Sequence, residues 1–156
     1  MNALPRAKVF VSYSHLDARF LAELNVQLKI LKNKGYLQWW SDESLVGGDE
    51  WEQEILDQLE ASDIILLLVS AYCLASEFCW GIEMKNAIAR HDDGKARVVP
   101  IFVRHSDPEE TPLEKLHGVP RKDRPVASWK DRHKAWTEVA IGIQRAVEEW
   151  RKSLAN

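Results

Sequence analysis

Cysteine is scarce: Cys73 and Cys79 are the only two in 156 residues. Neither a disulfide framework nor a zinc-ligand spacing surrounds the pair. The histidines (15, 91, 105, 117 and 133) are scattered, with no HxxxH pair to set two imidazoles on one helix face, so no metal site is expected. Long apolar runs are missing as well. The longest, Ile64–Val69, falls far short of a membrane span, and MNALPRAKVFVSY has no basic leader ahead of an apolar stretch. A soluble, cytoplasmic chain is therefore expected. The formal charge is only −3, and the densest basic stretch, Arg121–Lys134, also holds Asp123 and Asp131. It reads as a solvated connection, so no direct nucleic-acid partner is expected.

Several catalytic signatures are also absent. Gly47-Gly48 is not followed by Gly-Lys-Ser/Thr, which excludes a phosphate-cradling P-loop. No GxGxxG follows the first apolar strand, and no GxSxG elbow exists, which disfavours a redox dinucleotide site and a serine hydrolase. A phosphoacceptor receiver needs an acidic cluster after its first strand and an aspartate ending its third. Those places read Val-Ser-Tyr-Ser and Val-Ser here.

What is present suits one globular domain over residues 1–156, with a core from about 7 to 152: 46% of residues are apolar and 29% charged. Strand and helix patterns alternate, the mark of a parallel sheet with helices on both faces. Lys8–Tyr13 (KVFVSY) predicts a first strand. Phe20, Leu24, Leu28 and Leu31 share one face of a helix over Leu16–Leu31, which Gly35 ends. Leu37–Trp40 reads as a short second strand and Ser41–Gly48 as a loop. Trp51, Ile55 and Leu59 recur every four residues, predicting a helix from about Asp49 to Ala61. IILLLV at 64–69 has the look of a strand buried on both faces.

Tyr72–Arg90 predicts a third helical region with Ser76 as an internal N-cap. Arg97–Val103 (RVVPIFV) is a fourth strand, in which Pro100 points to an edge position or a local irregularity. Pro108, Pro112 and Pro120 punctuate the next segment, where at most a short helix fits around Leu113–Leu116. Arg124–Ala127 fits a short fifth strand. Trp136, Val139, Ala140, Ile143, Val147 and Trp150 mark a last amphipathic helix. Trp39, Trp51, Trp129, Trp136 and Trp150 read as core or helix-face residues.

In such a fold, ligands bind outside the carboxyl ends of the strands. Tyr13 to Asp17, Asp42 to Gly48, Ser70 to Tyr72 and the start of the third helix should meet there. Their small, polar and aromatic residues suit a polar ligand with a flat ring.

These segments resemble a known family. VFVSYSHLD at 9–17 is similar to the opening box of Toll/interleukin-1 receptor (TIR) domains. WWSDESLVGGDEW at 39–51 resembles the family's Trp-x-Asp and glycine-containing BB loop. SDIILLLVS at 62–70 runs into AYCLASEFCWGIEM at 71–84, which resembles the third-helix pattern of serine, aromatic, cysteine and glutamate. VPIFVR at 99–104 and PVASWKDRHKAW at 125–136 resemble the later strand and the tryptophan near the last helix. The resemblance runs in order over nearly the whole chain. It implies a flavodoxin-like three-layer α/β fold, with about five parallel strands and helices on both faces.

The resemblance further implies an NAD+ glycohydrolase of the bacterial type whose catalytic residue is Glu83. The chemistry agrees with a single carboxylate. Breaking the ribose–nicotinamide bond expels a neutral molecule from a cationic pyridinium, so the leaving group needs no general acid, unlike an alkoxide. The oxocarbenium-like ribose needs negative charge and hydrogen-bond acceptors beside it. By the same resemblance Tyr13, Ser14, Asp42, Cys79 and Trp80 border the substrate. Asp42 would orient a ribose or a loop, or is a turn-former beside Glu43 and Ser44; Trp80 would stack on a ring, or belongs to the core. Some active relatives carry an aromatic four residues before the glutamate, where Cys79 stands here, and a lysine in the BB loop, which Glu43–Gly48 lacks.

NAD+ is then substrate, with no cofactor required. Other TIR domains are expected partners through a BB-loop interface of Leu45, Val46, Gly47, Gly48, Asp49 and Trp51. TIR domains are commonly one part of a longer chain, so a sensor or oligomerising domain outside this sequence is a further expected partner. A non-catalytic TIR–TIR scaffold is the competing expectation.

Overall fold

The computed structural model describes residues 4–38, 46–47 and 52–155. Strands β1 (Val9–Tyr13), β2 (Val46–Gly47), β3 (Ile64–Val69) and β4 (Arg97–Phe102) form one sheet in the order β2-β1-β3-β4. All pairings are parallel: Val9 sits opposite Ile64, Ile64 opposite Arg97, and Ser12 opposite Val46. Helices α1 (Ala18–Asn33) and α6 (Arg132–Leu154) cover one face; α2 (Glu52–Ala61), α4 (Glu77–Trp80) and α5 (Ile82–Asp92) cover the other.

Period-two alternation divides the core between these faces. Ile64, Leu66 and Leu68 of β3 pack with Val11, Val99 and Ile101 against Phe20, Leu24 and Leu28 of α1 and Trp136, Val139 and Ile143 of α6. Ile65, Leu67 and Val69 pack with Phe10 and Val98 against Leu59, Met84 and Ala87. β3 is thus buried on both sides, as its unbroken apolar run predicts. Trp129 and Trp150 lie in the α1–α6 core as expected, whereas Trp39 and Trp51 fall outside the described residues.

Pro100 follows from the position of β4 at the sheet edge. Alternate β4 residues turn their backbone toward β3, as Arg97 does in donating to Asp63 O (2.9 Å). The intervening residues face outward and are satisfied otherwise. Val98 N–H donates to His91 Nδ1 (3.0 Å), Phe102 N–H to Val119 O (2.8 Å), and the Pro100 carbonyl accepts from Val119 N–H (2.9 Å). The missing proline N–H falls where the ladder needs no donor.

Three expectations require correction. Among the described residues Leu37 makes a bridge to Ala7, the rest of the expected strand at Trp39 and Trp40 lying outside them, while β2 forms at Val46–Gly47, within the segment read as a loop. Arg124–Ala127 is no strand: Pro125 leads into a 3-10 turn, Val126–Ser128, and Ala127 N–H caps Val103 O (2.9 Å). Four strands are found among the described residues, where about five were expected over the whole chain. Successive turns replace a helix near Leu113–Leu116.

The third helical region is also broken, into α3 (Ala71–Leu74), α4 and α5. Ser70 Oγ caps α3 by accepting from Cys73 N–H, and Ser76 Oγ caps α4 by accepting from Cys79 N–H, both at 3.3 Å. Ser76 is the internal N-cap expected of it. Gly81, with extended backbone, separates α4 from α5.

Candidate functional site

The carboxyl ends of β1 and β3 lead directly into the segments that carry the candidate residues. Glu83 lies in the first turn of α5, where the helix N–H groups favour a negative side chain. It is half-buried, and among the described residues no side chain forms an ion pair or hydrogen bond with it. Its carboxylate curls back over Gly81. A β-carbon built on Gly81 would stand 2.7 Å from Glu83 Oε2 and 2.8 Å from Glu77 O. The bare glycine thus leaves the space that the carboxylate occupies.

The remaining candidates divide. Tyr13 ends β1, half-buried against the α1–α6 core and edge-on to His15 at 6.3 Å. Ser14 Oγ accepts from Leu16 N–H (3.3 Å), capping the 3-10 turn His15–Asp17. Trp80 leaves 53% of its surface exposed and donates Nε1–H to Leu74 O (2.7 Å), which holds an open ring beside the break at Gly81. Cys79 does not fit a substrate-lining role. It is fully buried with Phe10, Met84 and Ala87, and burial pushes its thiol pKa up. Adjacent helical residues diverge, and here the smaller side chain entered the core. Val46 and Gly47 of the expected interface pair with Ser12 and Tyr13 as β2. Asp42, Leu45, Gly48, Asp49 and Trp51 lie outside the described residues.

One constellation was not anticipated. Asp17 is fully buried and accepts from Ser70 Oγ (2.5 Å) and from Arg104 Nε (2.8 Å), while Arg104 Nη2 donates to Leu16 O (3.3 Å). These residues follow β1, β3 and β4, so the network ties three strand ends together at the face where ligands bind. Every interaction of the buried carboxylate is charge-assisted or buried, the condition under which a buried charge is tolerated. The sequence placed Asp17 and Ser70 in converging loops; Arg104 had no signal beyond following a strand.

Among the described residues no group of three or more His, Cys, Asp or Glu is placed to hold a metal, and no helix is long and apolar enough to cross a membrane. A cleft of about 380 Å³ lined by Phe102, Leu113, Leu116 and Lys122 lies under the loop beside β4 and includes none of the candidates.

A family model described as TIR domain matches residues 9–139, from β1 into α6. The chain belongs to the TIR domain family. A curated relative from Sinorhizobium fredii (strain NBRC 101917 / NGR234), named uncharacterized protein y4lF, is 41% identical over 139 residues. The match takes in 89% of this TIR chain but 43% of that relative, so the chain spans less than half the relative's length. Membership places this protein in a family of signalling domains, and the α/β fold with its parallel sheet agrees with it.

Proposed function

We propose that this TIR domain cleaves NAD+ at the nicotinamide–ribose bond, with Glu83 as the catalytic residue. The observation that carries the reading is the half-buried Glu83 carboxylate at the first turn of α5, without a side-chain partner among the described residues and seated over a glycine where the broken third helix opens. A carboxylate with a structural role would be expected to hold a partner; among the described residues this one has none, which suits a group that meets a cation.

The bond between ribose C1′ and the pyridinium nitrogen breaks heterolytically. Both electrons go to the nitrogen, so nicotinamide leaves neutral and the positive charge passes to the ribose. Glu83 stabilises that cation through its charge and accepts hydrogen bonds from the sugar. Attack of water on C1′, with loss of a proton to solvent, gives ADP-ribose; attack by a nucleophilic atom of the same nucleotide gives a cyclic isomer. Trp80 supplies an exposed face for ring stacking, and in this reading Tyr13 and Ser14 border the substrate. In this reading NAD+ is the substrate and no further cofactor takes part. The full fold is the flavodoxin-like type, the protein works in the cytoplasm in immune or cell-death signalling, antiphage defence included, and a sensor domain or partner supplies the activating signal.

Activity is expected to depend on assembly with other TIR domains, the segment Leu45–Trp51 of one copy completing the pocket of the next. Nicotinamide release should then rise more steeply than linearly with protein concentration, and Gly48→Arg should depress both assembly and release. A strictly linear dependence would count against activation by assembly. A second reading, a scaffold that only assembles, is favoured by the exposed apolar side chains of Leu16, Tyr72, Trp80 and Ile82 beside the strand ends. Glu83→Ala separates the two: it removes release and leaves assembly intact in the enzymatic reading, whereas a scaffold shows no release to lose.

A further inference from the structure

Phe20 is fully buried, yet much of its covering is cationic. The central guanidinium carbons of Arg19, Arg104 and Arg132 lie 4.9, 5.0 and 4.9 Å from its ring centroid. Three arginines distant in sequence therefore converge on one point, and no two can be farther apart than twice that distance.

The cations are unequally compensated. Arg104 donates Nε–H to Asp17, and Arg132 forms a two-point pair with Glu23, Nε at 3.1 Å and Nη2 at 2.7 Å. Trp136 Nε1–H also donates to Glu23 (2.9 Å), fixing that carboxylate further. Arg19 is exposed and, among the described residues, has no ion pair or hydrogen bond. The buried and paired carboxylates thus immobilise two guanidinium groups, while the third has no direct carboxylate partner among the described residues, so three cations share two carboxylates. Among the described residues Nη1 of Arg104 and Nη1 of Arg132 also have no acceptor, so each retains donors after its carboxylate is satisfied. Tyr72, 46% exposed, lies 5.8 Å from the Arg104 guanidinium and provides a flat ring at the margin.

We propose that Arg19, Arg104 and Arg132 form a binding site for a phosphate group, carried on a small phosphate ester or diphosphate. Planar guanidinium forks held rigidly match phosphate oxygens in pairs, and pre-set geometry removes much of the ordering cost of binding. The site is independent of the reading of Glu83: it requires anion binding and no turnover.

The test is titration of the folded protein with inorganic phosphate, ADP and O-phosphoserine, followed through arginine Nε–Hε signals by nuclear magnetic resonance. Sodium chloride at matched ionic strength controls for screening. Saturable shifts of the Arg19, Arg104 and Arg132 signals with phosphate, without a chloride counterpart, are expected. Arg19→Gln should weaken binding about ten-fold, the worth of one charge-assisted contact, with an unchanged unfolding midpoint because Arg19 is exposed. Arg19→Lys should fall between, keeping charge but losing the fork. Tighter binding of ADP assigns the phosphate to a nucleotide, and tighter binding of O-phosphoserine to a phosphorylated side chain; either supports the site. Shifts that fail to saturate, that chloride reproduces, or that persist with equal affinity in Arg19→Gln would overturn it.

Discussion

Gly81→Ala addresses the geometry on which the candidate site depends. Gly81 has φ −92° and ψ −172°, a backbone that any residue adopts, so the glycine is not required for its conformational freedom. It is required for space. The new methyl would lie 2.8 Å from Glu77 O and 2.7 Å from Glu83 Oε2. The glutamate can swing aside, but the carbonyl belongs to the backbone of α4 and moves only with it. Overpacking of this kind costs about 1–3 kcal/mol. The lost flexibility of the unfolded chain returns about 0.4–1 kcal/mol, leaving a net destabilisation of roughly 1–2 kcal/mol. For a domain of this size each kcal/mol lowers the unfolding midpoint by about 2–4 °C, so a fall of several degrees is expected by calorimetry. A domain of ordinary stability stays more than about 90% folded at 25 °C after such a loss. Any larger fall in nicotinamide release at that temperature therefore reports the displaced carboxylate and not unfolding. An unchanged midpoint together with an unchanged rate would refute the steric argument.

Other perturbations test the surroundings. Arg104→Ala leaves the fully buried Asp17 carboxylate without its cation and should cost about 3–5 kcal/mol by denaturant unfolding, whereas Asp17→Asn, which keeps the shape without the charge, should cost less. His91 gives a pH dependence. Burial, then the nearby Arg97, lowers its pKa below the ordinary 6.5, and its unprotonated Nδ1 accepts from Val98 N–H. The unfolded chain thus binds the proton more readily than the native one. The contribution is complete above pH 6.5 and is lost as pH falls through the lower native value. Chemical denaturation from pH 7 downward should show that loss, and His91→Gln should flatten this part of the profile.

Long periodic elements were legible in the sequence, and short or conditional ones were not. Phe20, Leu24, Leu28 and Leu31 set out α1, and the unbroken apolar run of β3 announced burial on both faces. The two described residues of β2 give no period to read, and Val46–Gly47 are recognised as strand through their pairing with β1. Arg124–Ala127 has a strand-like composition at its end, but Pro125 and the bond to Val103 O turn it into a 3-10 turn. The third helix read as continuous because apolar spacing survives its breaks, whereas Gly81 interrupts it through a close approach to Glu77 O that spacing does not encode. At the candidate site, the motif singled out Glu83, which lies in the first turn of α5. Cys79 was misplaced, since which of two adjacent residues faces inward depends on the cap that Ser76 provides. The Asp17–Ser70–Arg104 network and the arginines around Phe20 join residues far apart in the chain, which only the folded sheet brings together.

The most direct measurement is incubation of concentrated protein with NAD+, beside Glu83→Ala, with the products separated by chromatography. Release of nicotinamide that falls on the order of 100–1000-fold in the variant, the usual loss when a transition-state stabiliser is removed, is the predicted result. The co-product then distinguishes hydrolysis from cyclisation. Equal release by both proteins would contradict the role of Glu83, and no release from the unaltered protein at high concentration would contradict the enzymatic reading itself.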